Sequence, residues 1–126
     1  MQNYLDDPNI PGSAVLIRRI HPLQFVKVEG TEEKRISSAA FNDTELSVLH
    51  EDLMQKRGRV AASALAAHPG YGLATFTASD ARSCNPTQNV CYDPIPEEDA
   101  HGIVFGKKTN AVKRQLSRIA IIIISV

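Results

Sequence analysis

A chain of 126 residues and 13.8 kDa has room for one domain. Fourteen Lys and Arg against fourteen Asp and Glu give zero formal charge and a pI near 6.9, with 43% hydrophobic and 22% charged residues. That balance excludes a disordered chain, a supercharged nucleic-acid binder, a fibrous repeat and a disulfide scaffold, and names no activity.

Residues 1–13 hold Pro8, Pro11 and Gly12 and read as an irregular lead-in, leaving 14–126 as a single α+β domain. Ala14 to Ile17 opens a β-branched strand that runs through Arg18, Arg19, Ile20 and His21 to Pro22. Phe25 to Val28 reads as a second strand, residues 30–34 as a polar turn, and Arg35 to Phe41 as a third strand. Asn42 and Glu45 have capping-box spacing, and Leu46, Leu49, Leu53 and Met54 follow at helical spacing, which predicts a helix over 43–57 ended by Gly58. Val60 to Ala67 is alanine-rich and helical by propensity. His68 to Gly72 is a turn.

Leu73 to Thr77 reads as a strand, after which Ser79 caps one helical turn through Arg82; Asn85-Pro86 marks a turn. Val90 to Tyr92 and Gly102 to Phe105 read as short strands. The clearest helix follows, with Val112, Leu116, Ile119, Ala120 and Ile123 on one face and Lys113, Arg114 and Arg118 on the other. Ile121–Val126 suits a buried strand as well as a helix end. Strands and helices mix without strict alternation, which predicts a mostly antiparallel sheet of about five short strands with two or three helices.

The acidic, polar N-terminus lacks the pattern of a signal peptide, and the longest apolar run, Ile119 to Ile124, is six residues. The expectation is a cytoplasmic protein without membrane contact. Cys84 and Cys91 have six residues between them, a poor fit to metal knuckles, so free thiols and no metal are expected. His21, His50, His68 and His101 show no paired metal spacing. No serine sits in a nucleophile elbow, so no hydrolase triad is legible.

Charge is unevenly placed. Asp93, Glu97, Glu98 and Asp99 form an acidic loop, whereas Ala100 to the C-terminus holds Lys107, Lys108, Lys113, Arg114 and Arg118 and no acid. Mutual neutralisation of loop and helix is the plain expectation. Gly106-Lys107-Lys108-Thr109, between a strand and a helix, is the best local phosphate signal, although it lacks the spacing of a Walker loop. Without aromatics among the bases, nucleic-acid binding is not expected. His101, beside the acids, is a candidate acid–base group.

Arg18 or Arg19 on the first strand, Arg35, Ser37-Ser38 and Glu51 follow in an order that resembles ADP-ribosyltransferase-type NAD-cleaving folds, including their compact toxin domains. The resemblance implies that Arg19 or Arg35 clamps phosphate, Ser38 lines the pocket and Glu51 or Glu98 stabilises the oxocarbenium-like centre, with NAD as the cofactor. No Glu-x-Glu accompanies them. The residues themselves favour a binding or accessory module. It would engage a protein partner or small anion through Arg18, Arg19, Arg35, Ser37, Ser38, Lys107, Lys108 and Thr109, without a cofactor. The isoleucine run is expected to pair with a second copy, because it is too apolar to leave in water.

Overall fold

The computed structural model describes residues 4–126. β1 (Val15–Ile20) lies in the middle of a six-stranded sheet, flanked by β4 (Glu45–His50) and β5 (Gly72–Thr77). Beyond β4 lie β7 (His101–Phe105) and the edge strand β6 (Asn89–Tyr92); beyond β5 lies the other edge strand, β8 (Ile121–Ile124). Every pairing is antiparallel. β2 (Phe25–Lys27) and β3 (Lys34–Ile36) form a separate hairpin. Three helices complete an α+β domain: α1 (Glu51–Lys56), α2 (Ala78–Arg82) and α3 (Asn110–Ile119). The sequence predicts about five strands; the described residues form eight, and the one that the sequence assigns to another element is β4, which falls inside the helix expected over 43–57.

The largest departure is at 43–57. Leu46, Val48 and His50 alternate with Ser47 and Leu49, and the strand places both sets, one on each face of the sheet. The period-three leucines fit a helix equally well, but pairing with β7 on one side and β1 on the other satisfies the backbone and wins. The helix starts only at Glu51, where Glu51 and Asp52 sit favourably in the first turn and Lys56 in the last. The expected third strand stops at Ile36, and Ser38–Phe41 tightens into a 3₁₀ turn capped by Ser37, whose hydroxyl accepts from the Ala39 amide. Val60–Ala67 gives another 3₁₀ turn, Ala61–Leu65. The cap of α2 is Thr77, paired reciprocally with Asp80, and Ser79 lies inside the helix.

At the C-terminus, α3 ends at Ile119 and the isoleucines form a strand. It is an edge strand and not a buried one: Ile121 is 65% exposed and Ile123 44%. The lead-in is irregular but anchored. Ile10 is buried, and the Arg82 guanidinium donates to Asp6 Oδ1 and to the carbonyls of Asp7 and Ile10.

Strand alternation sorts the apolar residues into two cores. The larger, under α2, α3 and the Ser38–Phe41 turn, includes Leu16, Ile20, Phe41, Leu46, Val48, Phe76, Val104, Val112 and Leu116. The smaller, on the other face under α1 and Ala61–Leu65, includes Ile17, Leu49, Met54, Ala64, Leu73 and Ala100. Both cysteines are free and buried, and burial raises both thiol pKa values.

His50 is buried, with Nε2 3.1 Å from the Cys91 carbonyl and its ring 4.4 Å from that of Tyr92. It fits there because Gly102 on the neighbouring strand has no side chain. A methyl group at Gly102 would overlap the imidazole and lie 2.9 Å from the Cys91 carbonyl oxygen. Gly102→Ala is therefore expected to destabilise the protein by about 1–3 kcal/mol through overpacking. Urea unfolding of the variant beside the parent chain measures this.

Candidate functional site

The centre of the sheet contains a break. β1 pairs with β5 along its whole length, from Val15↔Thr77 to Ile20↔Gly72, but with β4 only at Leu16↔His50 and Ile17↔Leu49. Past Ile17 the side chain of Arg18 replaces the missing ladder. Its Nη1 donates to the Ser47 carbonyl at 2.9 Å, and Nε and Nη2 donate to the Ala40 carbonyl at 3.3 and 3.1 Å. Asp43 lies 3.9 Å from Nη2. Burial lowers the Arg18 pKa, and Asp43 opposes that shift. With Nε and both Nη groups donating to backbone carbonyls, Arg18 ties β1 to β4 and to the Ser38–Phe41 turn.

On the smaller core's face, three polar side chains meet at the break. His101 Nδ1 lies 2.9 Å from the Asp93 carbonyl and 3.2 Å from Asp93 Oδ2; Nε2 lies 3.1 Å from Ser47 Oγ. Both Asp93 atoms are acceptors only, so in the neutral ring the proton sits on Nδ1. Nε2 is then the acceptor, and the Ser47 hydroxyl donates to it. Continuing the Ile17↔Leu49 register puts Arg19 across from Ser47 on that face. Arg19, Ser47 and His101 line one recess of about 30 Å³. Arg19 Nε donates to the Ala64 carbonyl at 2.6 Å, and among the described residues its Nη groups have no hydrogen-bond partner.

On the larger core's side, a groove of about 680 Å³ runs between the β2–β3 hairpin and α3–β8. Lys34, Arg35, Arg114 and Arg118 line it with Ser38 and Ser117, over a floor of Ile36, Ala120 and Ile122; no carboxylate lines it. Lys34 Nζ donates to the Val126 carbonyl and Arg114 Nε to the Asn110 carbonyl. Among the described residues, Arg35 and Arg118 have neither a hydrogen-bond nor an ion-pair partner.

The acidic loop does not neutralise the basic helix. Glu98 takes both its oxygens to the Arg59 guanidinium, with Oε1 at 2.7 Å, and Asp99 pairs with Arg57 at 3.3 Å and Arg59 at 3.5 Å. Arg59 and the Ala100 amide hold the Glu98 carboxyl at about 2. The bases of α3 are left without those acids, which is what makes the groove uniformly positive.

The other sequence candidates are dispersed. Arg35 and Ser38 meet in the groove; Arg19 and Glu98 are on the other face, and Glu51 is at the start of α1, within 3.4 Å of Gln55 Nε2. The arginine–serine–glutamate set implied by the resemblance is thus not gathered in one pocket. Ser37 is a cap. At the Gly106–Thr109 corner, Lys108 turns inward: its ammonium donates to the carbonyls of Thr44, Val104 and Gly106, and burial brings its pKa down to about 8. Thr109 caps α3 through the Val112 amide, and Lys107 is exposed. Lys108 and Thr109 are thus engaged by the corner's own backbone, which leaves Lys107 as its exposed cation.

Sequence reading did not single out Ser47, Lys34 or Ser117, and it noted Asp93, Arg114 and Arg118 only as members of the charged loop and helix. Only the β4–β7 register, which pairs Leu49 with His101, carries the signal for Ser47. Among the described residues, no group of three His, Cys, Asp or Glu side chains is placed to hold a metal, and no helix is long and apolar enough to cross a membrane. Comparison with protein-family models, curated proteins and solved structures finds no match to this chain.

The Arg59–Glu98 pair gives a pH signature. A folded-state pKa of about 2, below the ordinary 4.5, makes its stabilisation present above pH 4.5 and lost as pH falls toward 2. Arg59→Gln is expected to return the Glu98 carboxyl toward its ordinary value and to cost about 1–3 kcal/mol at neutral pH. Carbon-13 titration of the carboxyl and acid unfolding of the variant measure the two effects.

Proposed function

We propose that this protein binds a phosphorylated small molecule in the groove between the β2–β3 hairpin and α3. The observation that carries the reading is the lining: four cationic side chains and two hydroxyls without one carboxylate. Planar guanidinium forks such as those of Arg35 and Arg118 suit bidentate phosphate oxygens. Desolvating a cation already committed to an acid gains little, so unpaired arginines favour this role. The floor of Ile36, Ala120 and Ile122 suits an uncharged body attached to the phosphate, and about 680 Å³ is ordinary for a small-molecule site.

Isothermal titration with pyrophosphate, ADP and NAD tests the reading, with nicotinamide release followed in the NAD arm. Binding of at least one, weakened about tenfold or more by Arg35→Gln and by Arg118→Gln and falling with added salt, is the expected result. Nicotinamide release is not expected, since no carboxylate lines the groove. Absence of binding to all three, or binding indifferent to both substitutions, contradicts the reading.

We also propose that β8 joins two copies of the chain. Its far edge lacks a strand partner among the described residues, and Ile121 and Ile123 leave 65% and 44% of their surface exposed. An antiparallel edge laid against its own copy about a two-fold axis satisfies its free N–H and C=O groups and covers these side chains. Deleting the strand would strip β5 of a neighbour, so point changes are the better test. Sedimentation is expected to give a dimer that Ile121→Lys and Ile123→Lys convert to a folded monomer; a monomeric parent chain contradicts it.

A further inference from the structure

We infer that Ser47 is a nucleophile activated by His101, and that the break between β1 and β4 is a second site, one that hydrolyses esters of small acyl groups. The inference is independent of the groove on the other side of the sheet. It stands on the hydrogen-bond directions around His101. Asp93 presents two acceptors to Nδ1, at 2.9 and 3.2 Å, which fixes the tautomer and the ring plane. Nε2 is left with a lone pair 3.1 Å from Ser47 Oγ, within reach for proton transfer. A surface serine bonded to histidine needs no such second partner, and a histidine needed only for packing does not require an aspartate along its far nitrogen.

Ser47 is exposed, so an ester can approach Oγ from solvent, while His101 is mostly shielded, with 13% of its side chain accessible. Strain is not needed to expose the hydroxyl, because β1 turns its ladder hydrogen bonds away from β4 here and Arg18 takes the Ser47 carbonyl instead. The recess of about 30 Å³ beside it, shared with Arg19, has room for a group about the size of one water molecule or a methyl. That restricts the acyl part to acetyl-like groups and leaves the alcohol part over solvent. The Arg19 Nη groups, unbonded within the described residues, supply a fixed positive charge on the recess wall where negative charge develops.

The reaction uses water as its only co-reactant. Ser47 Oγ forms a bond to the carbonyl carbon as its proton passes to His101 Nε2. The tetrahedral oxyanion collapses, the bond to the alkoxy oxygen breaks, and Nε2 returns the proton to the departing alcohol. Water then adds to the acyl-serine, gives its proton to Nε2 and releases the carboxylic acid, and Ser47 recovers its proton.

A fluorophosphonate probe tests the nucleophile directly, since Oγ displaces fluoride from phosphorus and the adduct persists. At mildly alkaline pH the intact protein is expected to form an adduct located at Ser47 by peptide mass spectrometry. Ser47→Ala should form none, and His101→Gln should form it about 10²-fold more slowly. Hydrolysis of 4-nitrophenyl acetate should fall in both variants, and their melting curves should match that of the parent chain. The inference is overturned by no adduct at Ser47, by an adduct whose rate His101→Gln leaves unchanged, by an adduct without ester turnover, or by turnover that survives Ser47→Ala. The first of these is read on the unaltered chain, so a poorly folding variant cannot obscure it.

Discussion

The Arg18 guanidinium occupies the place where a backbone ladder should be, and much else depends on it. Strand pairing between β1 and β4 ends after Ile17 and Leu49, so the carbonyl of Ser47 and the turn over Ser38–Phe41 would lose their anchor without a donor there. One planar group with several N–H donors supplies both, reaching Ser47 and Ala40 from a single side chain. The cost is a largely buried cation, offset by charge-assisted hydrogen bonds and by Asp43 at the rim. Lysine would not reproduce this, because its compact ammonium lacks the planar fork that sets donors toward Ser47 and Ala40 from one rigid group. Of the arginines that the sequence offers for ligand binding, Arg18 is the one whose guanidinium is given to the fold's own carbonyls.

That commitment separates the two polar regions. On the larger core's side, Arg18 holds the turn that carries Ser38, one wall of the basic groove. On the other, it holds β4 where Ser47 stands beside His101. The charge pattern is divided in the same way. Glu98 and Asp99 are spent on Arg57 and Arg59, so the arginines of α3 face solvent across the groove without local acids. Zero net charge for the chain conceals this, because the opposing charges lie on different surfaces.

Most of the architecture was legible, and the misses have physical causes. β1, β5 and β7 show as β-branched runs because central strands need apolar residues on both faces. Val112, Leu116 and Ile119 mark α3 by their spacing, a local signal of the same kind. The stretch 43–57 misleads because Leu46, Leu49 and Leu53 satisfy a helical period, while the decisive fact, a pairing with residues 101–105, lies some fifty positions away. The isoleucines at 121–124 are legible as a strand but not as an exposed one, since exposure depends on how many strands the sheet already has. Arg35 and Ser38, picked out by residue type, line the same groove, whereas Lys108 is turned toward three backbone carbonyls, because a sequence cannot show which carbonyls a lysine will meet. His101 was legible from the acids beside it, but Ser47 leaves no local pattern, because the register that brings it to the histidine joins strands far apart in the chain.

The strand order also bears on how the chain reaches this state. Ile17 must find Leu49 and Thr75, Ser47 must find Ile103, and Ala74 must find Ile122, so nearly every ladder in the main sheet closes a loop of about thirty to sixty residues. Only β6 and β7 are near neighbours in the chain. Such a topology gives little reward until distant segments have met, and it folds more slowly than a helical domain of equal length. On the ribosome, β1 and β4 emerge well before the strands that cover them, and they expose Leu16, Ile17, Leu46 and Leu49 in the interval. The main sheet is completed only once Ile121–Ile124 has been made and has reached β5, so its closure waits on the strand of the sheet that is latest in the sequence.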